Sequence, residues 1–323
     1  MSETKEYLCT NAQRLDLFLA MQLEESRSQV ANLIKQANVS VDEKLVTRSG
    51  VKLKGGEKVS VKLPAMQEQK ALDVSFDVEI LYEDEAVLVI NKPSGVTVHP
   101  APSVKEATLV DWLKHKGVRL STLSGEERNG IVHRLDKGTS GAMVVAKTNE
   151  AHQLLSEQLQ DKSMGRYYLA VVNPPLRNDM QMVESTIARS PNNRLKMANT
   201  PHGKYAKTMF HPLALSLDEK NQLIACKLFT GRTHQIRVHL ESLNRQIIGD
   251  PLYGVHPKSQ RAERILLHAY IIYFIHPISK KELFFVAGFD EMMQQYITNK
   301  FNKEQINEVI NTRYVLDSFS TAI

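Results

Sequence analysis

Three short apolar runs, VLVI at 87–90, AMVVA at 142–146 and YLAVV at 168–172, constrain this 323-residue chain more than any other feature. Runs of four or five apolar residues suit buried strands, whereas a helix shows a longer pattern of period 3.6. Turn-forming residues bound them, with Lys92-Pro93-Ser94-Gly95 after the first and Thr139-Ser140-Gly141 leading into the second. Strands and helices then mix irregularly up to about residue 290, which predicts an α+β domain over 77–290 instead of a regular βαβ repeat.

Ahead of this region the hydrophobic period changes. RLDLFLAMQL (14–23) has helical spacing, and SRSQVANLIKQANVSV follows, with Ser26 and Gln29 in the arrangement of a capping box. From there the period becomes two: Val51, Leu53, Val59, Val61 and Leu63 alternate with Lys52, Lys54, Lys58 and Lys62 around a Gly55-Gly56 turn. The expectation is a polar tail (1–11), a helix–helix–strand module with a basic face (12–63) and a linker (64–76). The last stretch, 291–323, is helix-like with one apolar side and is expected to pack on the body. The lysines fit either a solvated strand face or an RNA-facing one. Arg14 and Arg27, at neighbouring helix starts, favour RNA.

A net charge of +5 is compatible with a polyanionic partner but does not demand one. Cys9 and Cys226 are too few for a disulfide framework or a zinc-ligand spacing, which fits a reducing compartment. The first residues, MSETKEYLCT, lack the basic-then-apolar pattern of a signal peptide, and no apolar run approaches the ~18 residues of a membrane span. The expectation is a cytoplasmic monomer.

The chemistry-bearing candidate is Asp136 in IVHRLDKGTSGAMVVAK (131–147), between Arg134 and Lys137 and ahead of a strand. Such an Asp can form a turn, pair with a cation or act as a nucleophile. Two other segments supply company for it. In SMGRYYLAVV, alternation sends Tyr167 and Tyr168 to opposite faces, where one could stack on a nucleobase. In FTGRTHQIRVHLESL, Arg232, Arg237, His234 and His239 crowd a turn and the start of an apolar pattern, and a guanidinium there would keep a nearby carboxylate ionised. His234 and His239 lack the same-face spacing of a zinc helix, and no Glu adjoins them, so no metal is expected.

Residues 12–63 resemble the S4 RNA-binding domain through Arg14-Leu15-Asp16, Ser26-Arg27-Ser28 and GGEKVSVKL, with Asn38 and Asp42 where that family usually has Gly and Asn. Residues 77–290 resemble the RluA-type family of RNA pseudouridine synthases. The matching stretches are ILYEDEAVLVINKPSGVTVHP, GIVHRLDKGTSGAMVVAKT, RYYLAVV, RLKM with GKYAKT, TGRTHQIRVHL with GDPLYG, and LLHAYIIYFIHP. Gly138 stands where Asp is common and Arg166 where Lys is usual. The resemblance implies a mixed, mostly antiparallel sheet flanked by helices around a cleft. It also implies isomerisation of a flipped-out uridine to pseudouridine, with no cofactor because atom count and redox state do not change.

By the same resemblance Asp136 acts on the ribose, by attack or by proton removal, and Tyr168 is the stacking ring; Arg237, in the QIR triplet, is the cation expected to keep Asp136 ionised. Arg134 helps extrude the base. His133, Lys147, Arg194, Lys196, Lys204, Lys207 and Arg232 join Arg14 and Arg27 as RNA contacts. The implied partner is large-subunit ribosomal RNA or the assembling subunit, with other ribosomal sites or transfer RNA as alternatives. A non-catalytic RNA-binding assembly protein is a rival. So is a nucleoside hydrolase, although no second acid stands near Asp136 in sequence.

Overall fold

The computed structural model describes residues 3–23, 27–63, 73–101, 104–123, 128–177, 179–254 and 262–320. The chain divides into two compact units, one of residues 1–73 with 124–129 and the other of residues 74–123 with 130–323.

The first unit contains β1 (Glu3–Leu8), β2 (Gln13–Arg14), α1 (Leu15–Leu23), α2 (Arg27–Lys35), β3 (Val39–Val41), β4 (Lys44–Leu45), β5 (Lys52–Leu53) and β6 (Lys58–Leu63). Its larger sheet has the order β1-β6-β3-β4. Residues 3–8, expected as tail, are therefore a strand, paired with β6 from Glu3↔Leu63 to Leu8↔Lys58. Backbone pairing needs little apolar side chain, so the polar sequence concealed it. The expected Gly55-Gly56 turn joins strands of different sheets, because β5 pairs with β2 while β6 pairs with β1 and β3. Both glycines have positive φ, +97° and +95°, and a Cβ on Gly55 would sit 3.1 Å from the Thr10 carbonyl oxygen. They turn the chain from one sheet to the other. Leu53, Val59 and Val61 face the core with Leu15, Phe18, Leu19, Val30 and Ile34, and the four alternating lysines are exposed. Ser26, half of the expected capping box, lies outside the described residues.

The second unit runs β7 (Glu79–Glu83), β8 (Val87–Lys92), α3 (Leu109–His115), β9 (Ser140–Ala146), α4 (Asn149–Asp161), β10 (Gly165–Asn173), β11 (Gln181–Arg189), β12 (Met197–Asn199), β13 (Lys204–Leu215), β14 (Gln222–Leu228), α5 (Gln235–Ser242), β15 (Gln246–Ile247), β16 (Leu267–Ile275), β17 (Glu282–Val286) and then α6 (Glu291–Lys300), α7 (Lys303–Val309) and α8 (Thr312–Asp317). One 11-stranded sheet has the path β12-β11-β13-β14-β10-β16-β9-β8-β7, with β15 beside β10 and β17 beside β16. β9 and β16 run parallel, and the other pairings among the described residues are antiparallel. This is the α+β mixed sheet that the sequence predicts. Val74 and Phe76, at the end of the expected linker, pack on its core, while 64–72 lie outside the described residues.

Strand alternation sorts side chains into two layers. Tyr168, Ala170 and Val172 face α3 and α5, packing with Trp112, Ile236 and Leu240. Tyr167, Leu169 and Val171 face the other way, onto Met293, Ile297, Val309, Val315 and Phe319 from the C-terminal segment. The apolar side of that segment is thus part of the main core. In β9, Met143 and Val145 join the first layer, and Ala142 and Val144 meet Leu155 of α4. Gly141 permits β9 to approach β16, since a Cβ there would lie 2.2 Å from the Ala269 carbonyl oxygen at a φ of +118°. That approach sets the 134–139 loop at the end of the central strands.

Candidate active site

Asp136 sits on a braced loop immediately before β9. Its carbonyl accepts from Thr139 N at 3.0 Å. The Lys92-Pro93-Ser94-Gly95 turn holds the loop from below: Gly95 N donates to Lys137 O at 2.8 Å, and Ser94 Oγ to Gly138 O at 2.7 Å. Lys92, fully buried, directs Nζ to the carbonyls of Pro93 and Val96 at 2.8 Å and of Lys137 at 3.4 Å. Burial pulls its pKa down to about 7, with Asp136 acting in the opposite direction. Gly138 lies flush against Ile265, whose Cγ2 would stand 2.8 Å from an added Cβ. Glycine at this position therefore lets the loop pack down.

Facing Asp136 is α5. The turn before it is tied by Gln235, whose Oε1 accepts from Thr230 Oγ1 at 2.7 Å and from Arg232 N at 3.0 Å. Gln235 Nε2 donates to Thr208 Oγ1 at 2.8 Å. His234 occupies the left-handed region with φ 56° at the helix N-cap. Arg237, one turn on, brings Nη1 to 3.3 Å from Asp136 Oδ2. The expected pair is therefore present, but the stronger contacts of Arg237 go elsewhere: Nε to Asp250 Oδ2 at 2.7 Å and Nη2 to Asp250 Oδ1 at 2.8 Å. This is the bidentate geometry for which guanidinium is suited. The Asp250 side chain is 0% exposed and also accepts from Leu252 N and Tyr253 N. Burial alone would raise its pKa, yet Arg237 and those amides leave it below its ordinary value. Tyr253 covers the other side, with the Arg237 guanidinium 4.7 Å from the ring centroid.

Tyr168, on β10, and Arg166 line the same pocket with Leu228, Ile236 and Leu267, and a groove of about 1120 Å³ adjoins it, sharing Arg134, Asp136, His234 and Arg237. Burial pushes the Tyr168 phenol up to about 12, so it is neutral at neutral pH. Tyr167 packs at 5.4 Å from Phe319 on the far layer. Alternation thus decides which of the adjacent tyrosines meets the pocket.

The expected RNA contacts divide. Arg134 and Arg232 are exposed on the pocket rim, with Arg134 Nη1 3.3 Å from His99 Nε2 and Arg232 Nε donating to Tyr205 O at 2.9 Å. Arg194 and Lys204 are exposed, one before and one after the edge strand β12. Lys196 pairs with Glu241 at 3.4 Å, and Lys207 pairs with Glu184 at 2.9 Å. Two residues are corrected. Lys147 is 15% exposed, bound to Glu83 at 2.8 Å and to the Asp84 carbonyl, and it lines a different depression. His133 is buried, accepts from Val144 N at 3.1 Å, and burial pulls its pKa down to about 3. His133 is enclosed away from any phosphate, and Lys147 is paired with Glu83 outside the pocket and groove that hold Asp136. His239 is likewise interior, its nitrogens 2.9 Å from Thr208 Oγ1 and 3.0 Å from Ser185 Oγ.

In the first unit Arg14 and Arg27 converge on one buried carboxylate. Asp16 takes Arg14 Nε at 2.9 Å and Nη2 at 3.0 Å, and Arg27 Nη2 at 2.8 Å, while the two arginine side chains stay 46% and 56% exposed. Hydrogen bonding from Arg14, joined by Arg27, pulls the Asp16 pKa from 3.8 down to about 2. Because the folded-state pKa is depressed, this stabilisation is present above about 3.8 and is lost as pH falls through about 2. Amide protection in α1 and α2 is expected to fall across that interval in hydrogen exchange. Asp16→Asn should remove the pH dependence.

Asp250, Tyr253 and Lys92 were not among the candidates, and His234 stood only as one of a basic group unsuited to a metal. Asp250 and Tyr253 stand within GDPLYG and Lys92 within KPSG, so the signal was a motif whose side chains had no visible partner.

Residues 86–242 match the family described as RNA pseudouridylate synthase, and residues 13–59 match the S4 domain. A Helicobacter pylori (strain J99) protein named uncharacterized RNA pseudouridine synthase is 47% identical over 319 residues, spanning 96% of this chain and 97% of its own length. The ribosomal large subunit pseudouridine synthase D of Zymomonas mobilis is 39% identical over 293 residues, covering 87% of this chain and 92% of that protein. Among solved structures, human RNA Pseudouridylate Synthase Domain Containing 1 shares the fold with a TM-score of 0.56 at 21% identity, over 74% of this chain and 97% of that one.

Proposed function

Since the chain belongs to the RluA-type family of RNA pseudouridine synthases and carries an S4 domain, we propose that it converts specific uridines of 23S ribosomal RNA to pseudouridine, with Asp136 acting on the ribose. The observation that carries this reading is the Asp136 carboxylate, fixed on a braced loop beside Arg237 and opening into a pocket shared with Tyr168. In the reaction the N1–C1′ bond breaks, the uracil turns, and C5 bonds to C1′ while the C5 hydrogen is lost and N1 gains one. A uridine stacked in RNA must leave its stack to reach such a pocket. Tyr168 and the apolar side chains around it hold the extruded base, and Arg134 and Arg232 at the rim meet the backbone.

Arg237 steadies the carboxylate and Asp250 steadies Arg237. Asp250 does not serve as the second acid of a hydrolase, because its carboxylate is enclosed and both oxygens face the guanidinium. Arg14 and Arg27, held half-exposed by Asp16, give the S4 unit a phosphate-facing pair. The large-subunit target follows the name of the Zymomonas mobilis relative.

Mapping pseudouridines in ribosomal and transfer RNA, with and without the gene, tests this. Expected is loss of particular 23S positions, restored by the wild-type gene and not by Asp136→Asn. Losses confined to transfer RNA would move the target, and an unchanged map would overturn the proposal.

A further inference from the structure

We propose that His234 recognises the ribose 2′-hydroxyl of the target uridine by accepting its hydrogen on Nε2. The inference rests on uridine being the substrate, as proposed above, and on the hydrogens available around Tyr253. The Tyr253 hydroxyl contacts three groups: Met197 N at 2.7 Å, Met197 O at 3.0 Å and His234 Nδ1 at 2.9 Å. A phenol has one hydrogen to give and lone pairs to receive. Met197 N can only donate and Met197 O can only accept, so the arrangement in which every contact has one hydrogen sends the hydroxyl hydrogen to Met197 O. The remaining lone pair is then met by a hydrogen on His234 Nδ1. A neutral imidazole protonated at Nδ1 has a bare acceptor at Nε2.

The ring is neutral at physiological pH, because burial holds its pKa below the ordinary value, with Asp136 opposing and Arg237 adding to the effect. Nε2 lies 3.8 Å from Asp136 Oδ2, and the side chain borders both the pocket and the groove. That is too long for a direct hydrogen bond, and two acceptors have nothing to share. Whatever comes between them must bring a hydrogen. If Asp136 acts at C1′ or C2′, the nearest donor on the substrate is the hydroxyl of C2′. Uracil's own N–H belongs to the base, which lies toward Tyr168 and Leu228. The arrangement accordingly distinguishes ribose from deoxyribose at the reacting nucleotide. The left-handed backbone at His234 and the Tyr253 hydroxyl fix the ring in this orientation.

Two measurements test it. In ¹⁵N-histidine spectra of the full chain, with His234 assigned by its loss in His234→Gln, the hydrogen is expected on Nδ1; a hydrogen on Nε2 overturns the inference. The second uses an RNA hairpin carrying a uridine that the map identifies, synthesised with uridine or 2′-deoxyuridine at that position. In single turnover the wild type should favour uridine by about tenfold, the effect of one hydrogen bond in an enclosed site. His234→Ala should convert the two within about twofold of each other. His234→Gln, whose Oε1 reaches near the Nε2 position, should recover part of the preference. Comparing two RNAs within one variant cancels any general damage to the fold. An active wild type with no preference, or His234→Ala keeping the wild-type ratio, overturns the inference alone. A wild type inactive on the uridine RNA refutes the proposed function instead.

Discussion

Asp136→Asn is expected to fold like the wild type and to form no measurable pseudouridine, a loss of more than about 10⁴-fold, the scale on which removal of a catalytic nucleophile or base acts. The substitution keeps the side chain's size and leaves an amide oxygen for Arg237 Nη1, which lies 3.3 Å from the carboxylate. The side chain is 21% exposed and is not part of the apolar layers, so little stability depends on it. Unfolding midpoint and RNA affinity should stay near wild-type values while single-turnover conversion disappears. Retained conversion would remove Asp136 from the chemistry.

Arg237→Ala should behave differently, because it strands a buried charge. Asp250 is 0% exposed and both its oxygens face that guanidinium. Breaking such a pair by deleting one partner costs about 3–5 kcal/mol. The expected result is a clearly lower denaturant midpoint together with loss of turnover. Arg237→Met combined with Asp250→Asn separates the two effects. It removes both charges yet leaves an acceptor for Leu252 N and Tyr253 N, so much of the stability should return while activity does not. If the single substitution leaves the midpoint unchanged, the pair does not support the site as described.

Period-two alternation placed Val59 and Val61 inside and Lys58 and Lys62 outside, because a strand's two faces meet different surroundings. It could not choose the partner strand, so the pairing of β5 with β2 and of β6 with β1 and β3 was not readable from it. β1 escaped notice for a related reason, since a polar strand at a sheet edge is held by backbone hydrogen bonds that leave little trace in composition. His133 and Lys147 were misassigned because a titratable residue type says nothing about its burial.

The sequence by itself determined the α+β class, the two helices within residues 14–35 and, through motif resemblance, that Asp136, Tyr168 and Arg237 belong together. Tertiary structure alone decided what each of them touches. The close approach at Gly141, the turn tied by Gln235 and the Gly-Asp-Pro turn carrying Asp250 converge from distant parts of the chain. The same convergence brings the His234 ring to the hydroxyl of Tyr253, which also contacts the backbone of Met197. Hydrogen bonds and ion pairs depend on distances of a few ångströms between groups far apart in sequence, and such distances exist only once the sheet has brought those groups together.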